Sequence, residues 1–167
     1  MSIKIGFEPI IDDQSSILIL GTLPGDESII KGEYYANNSN KFWEIISHIH
    51  GEQINLDYES RVEFLHRHGI ALWDVIKKAK RIGSKDKNIC KSSIVFNDLE
   101  GLIKMYPSIR KIGFNGRTAE KNFIRRFKGN PVFSSIQLKY LMSSSSAYAR
   151  KLEVKVEDWQ KLFVAKT

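Results

Sequence analysis

Four short apolar runs, each stopped by small or polar residues, set the tightest limit on this chain: Ser16–Leu20, Ile70–Val75, Arg110–Phe114 and Ile136–Leu141. Runs of this length suit buried strands. Helical spacing lies between them. Phe42, Trp43, Ile45, Ile46 and Ile49 mark a helix over Asn40–Ile49, and Val62, Phe64 and Leu65 a second over Tyr58–Arg67. Asp98 caps a helix that runs to Met105 and stops before Pro107. Further helices are predicted near Thr118–Phe127 and Val156–Val164, and Lys77–Lys91 reads as a long polar loop. Strand alternating with helix builds a parallel sheet covered by helices. The predicted fold is α/β: a three-layer α/β/α domain over residues 1–167 with a central, mostly parallel four-stranded sheet.

In such sheets ligands gather beyond the C-terminal strand ends. Four exits are legible: Gly21–Glu27, Asp74 onward, Asn115-Gly116, and Met142–Tyr148. The glycines of Gly21-Thr22-Leu23-Pro24-Gly25 allow close backbone approach to a ligand, although a tight turn gives the same pattern. No Gly-Lys-Ser/Thr follows, so this is not an ATPase phosphate loop. Asn40 precedes a helix and suits either an N-cap or a site. Tyr34 and Tyr35 suit either a core or a rim.

Asp74 ends an otherwise apolar strand, where a carboxyl needs a partner or a use. A helix cap, or an ion pair with Lys77, Lys78 or Arg81, is the plain alternative. Asn115-Gly116 suits a turn with positive φ. The hydroxyls and amides of Ser143–Ser146 suit phosphate binding or a flexible turn equally.

Charge points to a polyanion. The chain of 167 residues carries +7, unevenly: residues 1–100 hold 12 Lys/Arg against 15 Asp/Glu, and residues 101–167 hold 14 against 4. One basic face of this kind fits nucleic acid, although basic proteins have other uses. The lone Cys90 excludes an internal disulfide. No apolar run is long enough for a membrane span, and the start lacks a secretory pattern. The expectation is a cytoplasmic, nucleoid-associated monomer without membrane contact. His48/His50 and His66/His68 are i,i+2 pairs that face different ways, so no metal and no cofactor are expected.

Taken in order, Gly21-Thr22-Leu23-Pro24-Gly25, Tyr34-Tyr35-Ala36 and Asn40-x-Phe42-Trp43 resemble the first motif of the uracil-DNA glycosylase superfamily. Ala71–Val75, Arg81-x-Gly83-Ser84-x-Asp86, Phe114-Asn115-Gly116 and Leu141–Tyr148 extend the resemblance over about residues 16–151. It is strongest to the hypoxanthine-DNA glycosylases (family six), neighbours of the mismatch-specific uracil enzymes.

The resemblance implies a monofunctional enzyme of base excision repair acting on DNA that contains a deaminated base. It further implies catalytic roles for Asn40 and Asn115. Gly21, Thr22, Leu23, Pro24, Gly25, Tyr35 and Asp74 would bind the base. Tyr35 would stack on it and Asp74 would read its edge. Ser143, Ser144, Ser145, Ser146, Ala147, Tyr148 and Lys151 would hold DNA. Leu23 stands where uracil-removing relatives carry a polar residue that positions water, which favours hypoxanthine. Met142 and Ser146 replace family prolines and predict a less rigid loop. Competing expectations are a mismatch-specific uracil or thymine glycosylase, a non-catalytic reader of lesion DNA, and an unrelated hydrolase of phosphate-containing metabolites.

Overall fold

The computed structural model describes residues 1–165; the last two residues of the predicted 1–167 span lie outside the described residues. Four strands, β2 (Ile17–Gly21), β3 (Ile70–Asp74), β6 (Lys111–Asn115) and β7 (Gln137–Leu141), form one sheet in the order β3-β2-β6-β7. Every pairing in it is parallel, with Gly21 opposite Asp74 and Asn115 opposite Leu141.

Successive residues of a strand point to opposite faces, and both faces here are apolar. Leu18, Leu20, Ala71 and Trp73 pack against α4 (Leu99–Met105) and α5 (Arg117–Phe127). Ile17, Ile19, Ile70 and Leu72 pack against α2 (Phe42–His50), α3 (Tyr58–Arg67) and α6 (Leu152–Phe163). The three-layer α/β/α arrangement follows from those two faces. A short α1 (Asp26–Lys31) leaves the first strand exit.

Two boundaries differ from expectation. Helix α2 begins at Phe42, because Asn40 lies before the helix and its Oδ1 accepts the Phe42 N–H at 3.0 Å. Helix α6 begins at Leu152, since its buried stripe of Leu152, Val156, Trp159 and Leu162 starts a turn earlier than Val156.

The polar loop expected over Lys77–Lys91 is a correction. Its first third belongs to β4 (Ile76–Arg81), which pairs antiparallel with β1 (Ser2–Ile5) and β5 (Val95–Phe96) in a second, three-stranded sheet. Ile76, Ala79 and Arg81 face inward while Lys77, Lys78 and Lys80 face solvent. Pairing with two other segments holds a strand of which half the residues are lysine.

Candidate active site

The strand exits do converge. Gly21 and Asp74 are register partners at the ends of β2 and β3. A Cβ at position 21 would collide with Asp74 Oδ1 and lie 3.2 Å from the Tyr35 hydroxyl, so only glycine lets these two groups meet above the strand. Asp74 is 5% exposed, and its Oδ2 has no hydrogen-bond partner among the described residues. Neither a cap nor an ion pair employs it. Burial, reinforced by nearby Asp86 and opposed by Arg81, pushes its pKa up to about 7.

Tyr35 has φ +54°, the lone positive value among the described non-glycine residues. Such a conformation persists where the surroundings over-determine it. One side of the ring stacks on Phe42, with centroids 4.1 Å apart and planes 16° apart. Its hydroxyl accepts a hydrogen bond from Asn115 Nδ2 at 3.1 Å. Burial, then Asp74, raises its pKa, so the hydroxyl stays protonated. Tyr34 belongs to the core: it is buried, and its hydroxyl donates to Glu8 O at 2.9 Å.

Asn115 is committed to the scaffold. Besides Tyr35, its Nδ2 donates to Ser144 Oγ at 2.9 Å, and its Oδ1 accepts the Ser144 N–H at 2.8 Å. Ser144 is fully buried, and its carbonyl accepts the Lys41 N–H at 2.9 Å. Ser39 Oγ lies 3.1 Å from Ser146 Oγ. The segment carrying Asn40 is therefore sewn to the serine loop, and Asn115 joins both to Tyr35. Of the four serines, Ser144 is buried while Ser146 is exposed, as are Ala147 and Lys151; Ser143, Ser145 and Tyr148 are half-buried.

The serine loop is held from below by α6. Asp158 Oδ2 accepts the Met142 N–H at 2.8 Å, Trp159 Nε1 donates to Met142 O at 2.7 Å, and Lys155 Nζ donates to Ser145 O at 3.0 Å. Where family prolines are missing, side-chain clamps fix the backbone instead. Lys155 is buried, and burial followed by the charge of Lys41 lowers its pKa.

The first loop is fixed by Arg81, which is fully buried. Its guanidinium donates to Leu23 O at 3.2 Å, to Gly83 O at 2.9 Å, and to Pro24 O. Ser84 Oγ accepts the Asp26 N–H at 2.9 Å. The Leu23 side chain itself is packed with Ile76 and Ala79. Thr22 is buried. Among the described residues no three His, Cys, Asp or Glu side chains are grouped to hold a metal ion.

The sequence left Lys155 unmarked and offered Arg81 only as a candidate ion-pair partner of Asp74 and as part of a motif, because lysine and arginine are ordinarily solvated. A signal existed in the periodicity. Lys155 stands on the stripe of Leu152 and Trp159, and Arg81 continues the inward alternation of Ala79.

The exits bring the Tyr35 ring, the Asp74 carboxyl and the Asn115 amide to the C-terminal edge of the parallel sheet, where open α/β sheets bind ligands. An aromatic ring and a buried carboxyl at that edge suit a planar heterocycle such as a base taken out of its stack. Comparison with known proteins makes this specific. Residues 8–163 match the family described as the uracil DNA glycosylase superfamily. A protein of Methanosarcina acetivorans named hypoxanthine DNA glycosylase is 40% identical over 163 residues, 96% of this chain and 98% of that protein. One of the same name from Methanosarcina barkeri is 40% identical over 162 residues, with the same coverage. A solution NMR structure from Methanosarcina acetivorans, described as a candidate uracil DNA glycosylase, superposes with a TM-score of 0.82 at 39% identity and 97% coverage of each chain. The chain belongs to the uracil-DNA glycosylase superfamily. It is a DNA glycosylase, a hydrolase of the N-glycosidic bond between base and deoxyribose, and DNA is its substrate.

Proposed function

We propose that the base removed is hypoxanthine, and that one domain acts as a monomer on nucleoid DNA in the cytoplasm. The observation that carries the reading of a deaminated base is the buried carboxyl of Asp74, whose Oδ2 has no partner among the described residues, at the Gly21 exit where the Tyr35 hydroxyl also lies. A neutral carboxyl both donates and accepts. It therefore complements the adjacent O6 acceptor and N1–H donor of hypoxanthine. The names of the relatives support the same reading, since two are hypoxanthine DNA glycosylases. So does Leu23, an apolar residue in the loop where uracil-removing relatives keep a polar one.

The reaction begins with extrusion of the nucleotide, which costs a few kcal/mol and least at a mispaired base. Deaminated adenine opposite thymine is such a mispair. The flipped base stacks on the face of Tyr35 opposite Phe42. As the glycosidic bond breaks, the sugar gains oxocarbenium character and the base negative charge. An O–H from neutral Asp74 to O6 stabilises that charge, whereas an ionised carboxylate would oppose it. Asn40 uses Oδ1 to hold the Phe42 N–H, which leaves its Nδ2 to orient the attacking water or the base. Asn115 works through Tyr35 and Ser144 as a positioning residue. Ser143, Ser145 and Ser146 hold phosphates beside the lesion, with Ala147 and Tyr148 at the gap and Lys151 on the backbone.

The test is base release from matched duplexes that carry hypoxanthine, uracil, xanthine or a thymine mismatch. Hypoxanthine released ahead of uracil is the expected result. Uracil released first makes this a mismatch-specific uracil enzyme, and tight binding without release makes it a reader of lesions.

A further inference from the structure

A groove of about 290 Å³ separates the segment between β4 and β5 from the outer face of α5. Lys87 and Lys91 stand on one wall, and Lys121 and Arg125 on the other. Ile89 and Ile94 form an apolar floor. The same two isoleucines pack against the cluster that holds Leu23, so the groove backs onto the first loop of the active site.

The position is not incidental. Helix α5 starts directly after Asn115-Gly116, and the opposite wall starts at Asp86, which is near enough for its charge to raise the pKa of Asp74. Both walls thus leave from the active-site rim. Asp86, the acidic residue of the lining, faces Arg81 at 3.9 Å.

The charge pattern shows what the groove would take. Several surface cations elsewhere stand beside carboxylates: Lys31 with Glu27, Lys41 with Glu44, Lys104 with Glu100, Arg117 with Glu120. Among the described residues none of the four groove cations makes an ion pair. Lys121 and Arg125 are moreover i,i+4 neighbours on one helix, where like charges repel. From Thr118 to Arg125 the helix rises about 10 Å. That covers about three base steps of one DNA strand.

We infer that this groove holds the sugar-phosphate backbone of DNA outside the flipped nucleotide, as a second anchoring site beyond the serine loop. The inference rests on the DNA glycosylase reading of the active site. Phosphates would lie between the cationic walls and deoxyribose against Ile89 and Ile94.

The experiment compares wild type with Lys87→Gln/Lys121→Gln, one substitution from each wall, and with a charge-matched Lys104→Gln/Lys161→Gln control. Each is measured on a hypoxanthine·thymine duplex of about two helical turns. The groove variant should bind more weakly, and the slope of log Kd against log salt should fall by about 2, one for each phosphate that is no longer neutralised. Its single-turnover excision at saturating enzyme should equal that of wild type, and the control should bind as wild type does. Unchanged Kd and slope in a folded groove variant, with wild type binding and excising normally, overturns the groove alone. A loss confined to the excision rate with an unchanged slope also overturns it. A wild-type protein that neither binds the duplex nor releases any base overturns the underlying reading as well.

Discussion

Asn115 Nδ2 donates to the Tyr35 hydroxyl at 3.1 Å, across 80 positions of sequence, and to Ser144 Oγ at 2.9 Å, while its Oδ1 accepts the Ser144 N–H. One amide thereby joins the Tyr35 ring to the serine loop. Tyr35→Phe keeps the packing against Phe42 and loses only this bond, whereas Tyr35→Ala loses the platform. Loss of base stacking costs about 1–3 kcal/mol, so Tyr35→Ala should excise on the order of ten- to a hundredfold more slowly at subsaturating DNA. Tyr35→Phe and Asn115→Ala should be non-additive, with a coupling of about 1 kcal/mol in a double-mutant cycle on single-turnover rates. Additive effects would mean that Asn115 acts independently of the ring.

The raised pKa of Asp74 has two consequences of defined sign. Below about 7 the carboxyl is neutral, so excision of hypoxanthine should fall as pH rises through that value. A pH–rate profile under single-turnover conditions reads this directly. In the unfolded chain the carboxyl ionises from its ordinary 3.8, so the folding penalty builds between that value and about 7 and is level above. Asp74→Asn should therefore stabilise the protein, by about 2–3 kcal/mol more near pH 8 than near pH 5. Denaturant melts at the two pH values check it, and an equal gain at both would place the ordinary pKa in the folded state.

Arg81 connects the same carboxyl to the first loop. It is the group that holds the pKa of Asp74 down, and it satisfies the carbonyls of Leu23, Pro24 and Gly83. Arg81→Met should cost about 3 kcal/mol or more, because buried carbonyls are left unpaired. In protein that still folds, the alkaline limb of the pH–rate profile should move upward. A limb that stays in place would separate Arg81 from Asp74.

The central sheet was legible because β2, β3 and the middle of β6 are apolar on both faces, as a parallel strand between two helical layers must be, while the edge strand β7 shows only a short apolar pattern. Strand β4 was not. Its inward residues are Ile76, Ala79 and Arg81 among lysines, and its partner β1 lies far away in sequence. At the site, the exits and the unusual place of Asp74 followed from strand ends and from the cost of an unpaired acid, whereas Tyr35 was singled out only by the family resemblance. The division of labour among the polar residues did not. Asn115 and Ser144 each look like ligand-facing groups in sequence, and only the distances show their atoms spent on one another.

Lys155 offers the sharpest contrast between supporting the loop and touching DNA. Its ammonium is buried, bonded to Ser145 O, and lies 5.7 Å from the ring centroid of Tyr148. Replacing a buried charge by an apolar side chain of similar length relieves desolvation while losing one hydrogen bond, so Lys155→Met should change stability by only about 1 kcal/mol. The Ser145 carbonyl would then be free, and the loop that holds phosphates less fixed. Weaker binding of lesion DNA should follow, without change in its salt dependence, because every phosphate keeps its cationic partner. Kd measured across a salt series decides the matter. A slope reduced by about 1 would mean that Lys155 meets a phosphate itself, and an unchanged Kd would mean that the remaining clamps, Asp158 and Trp159, suffice to hold the loop.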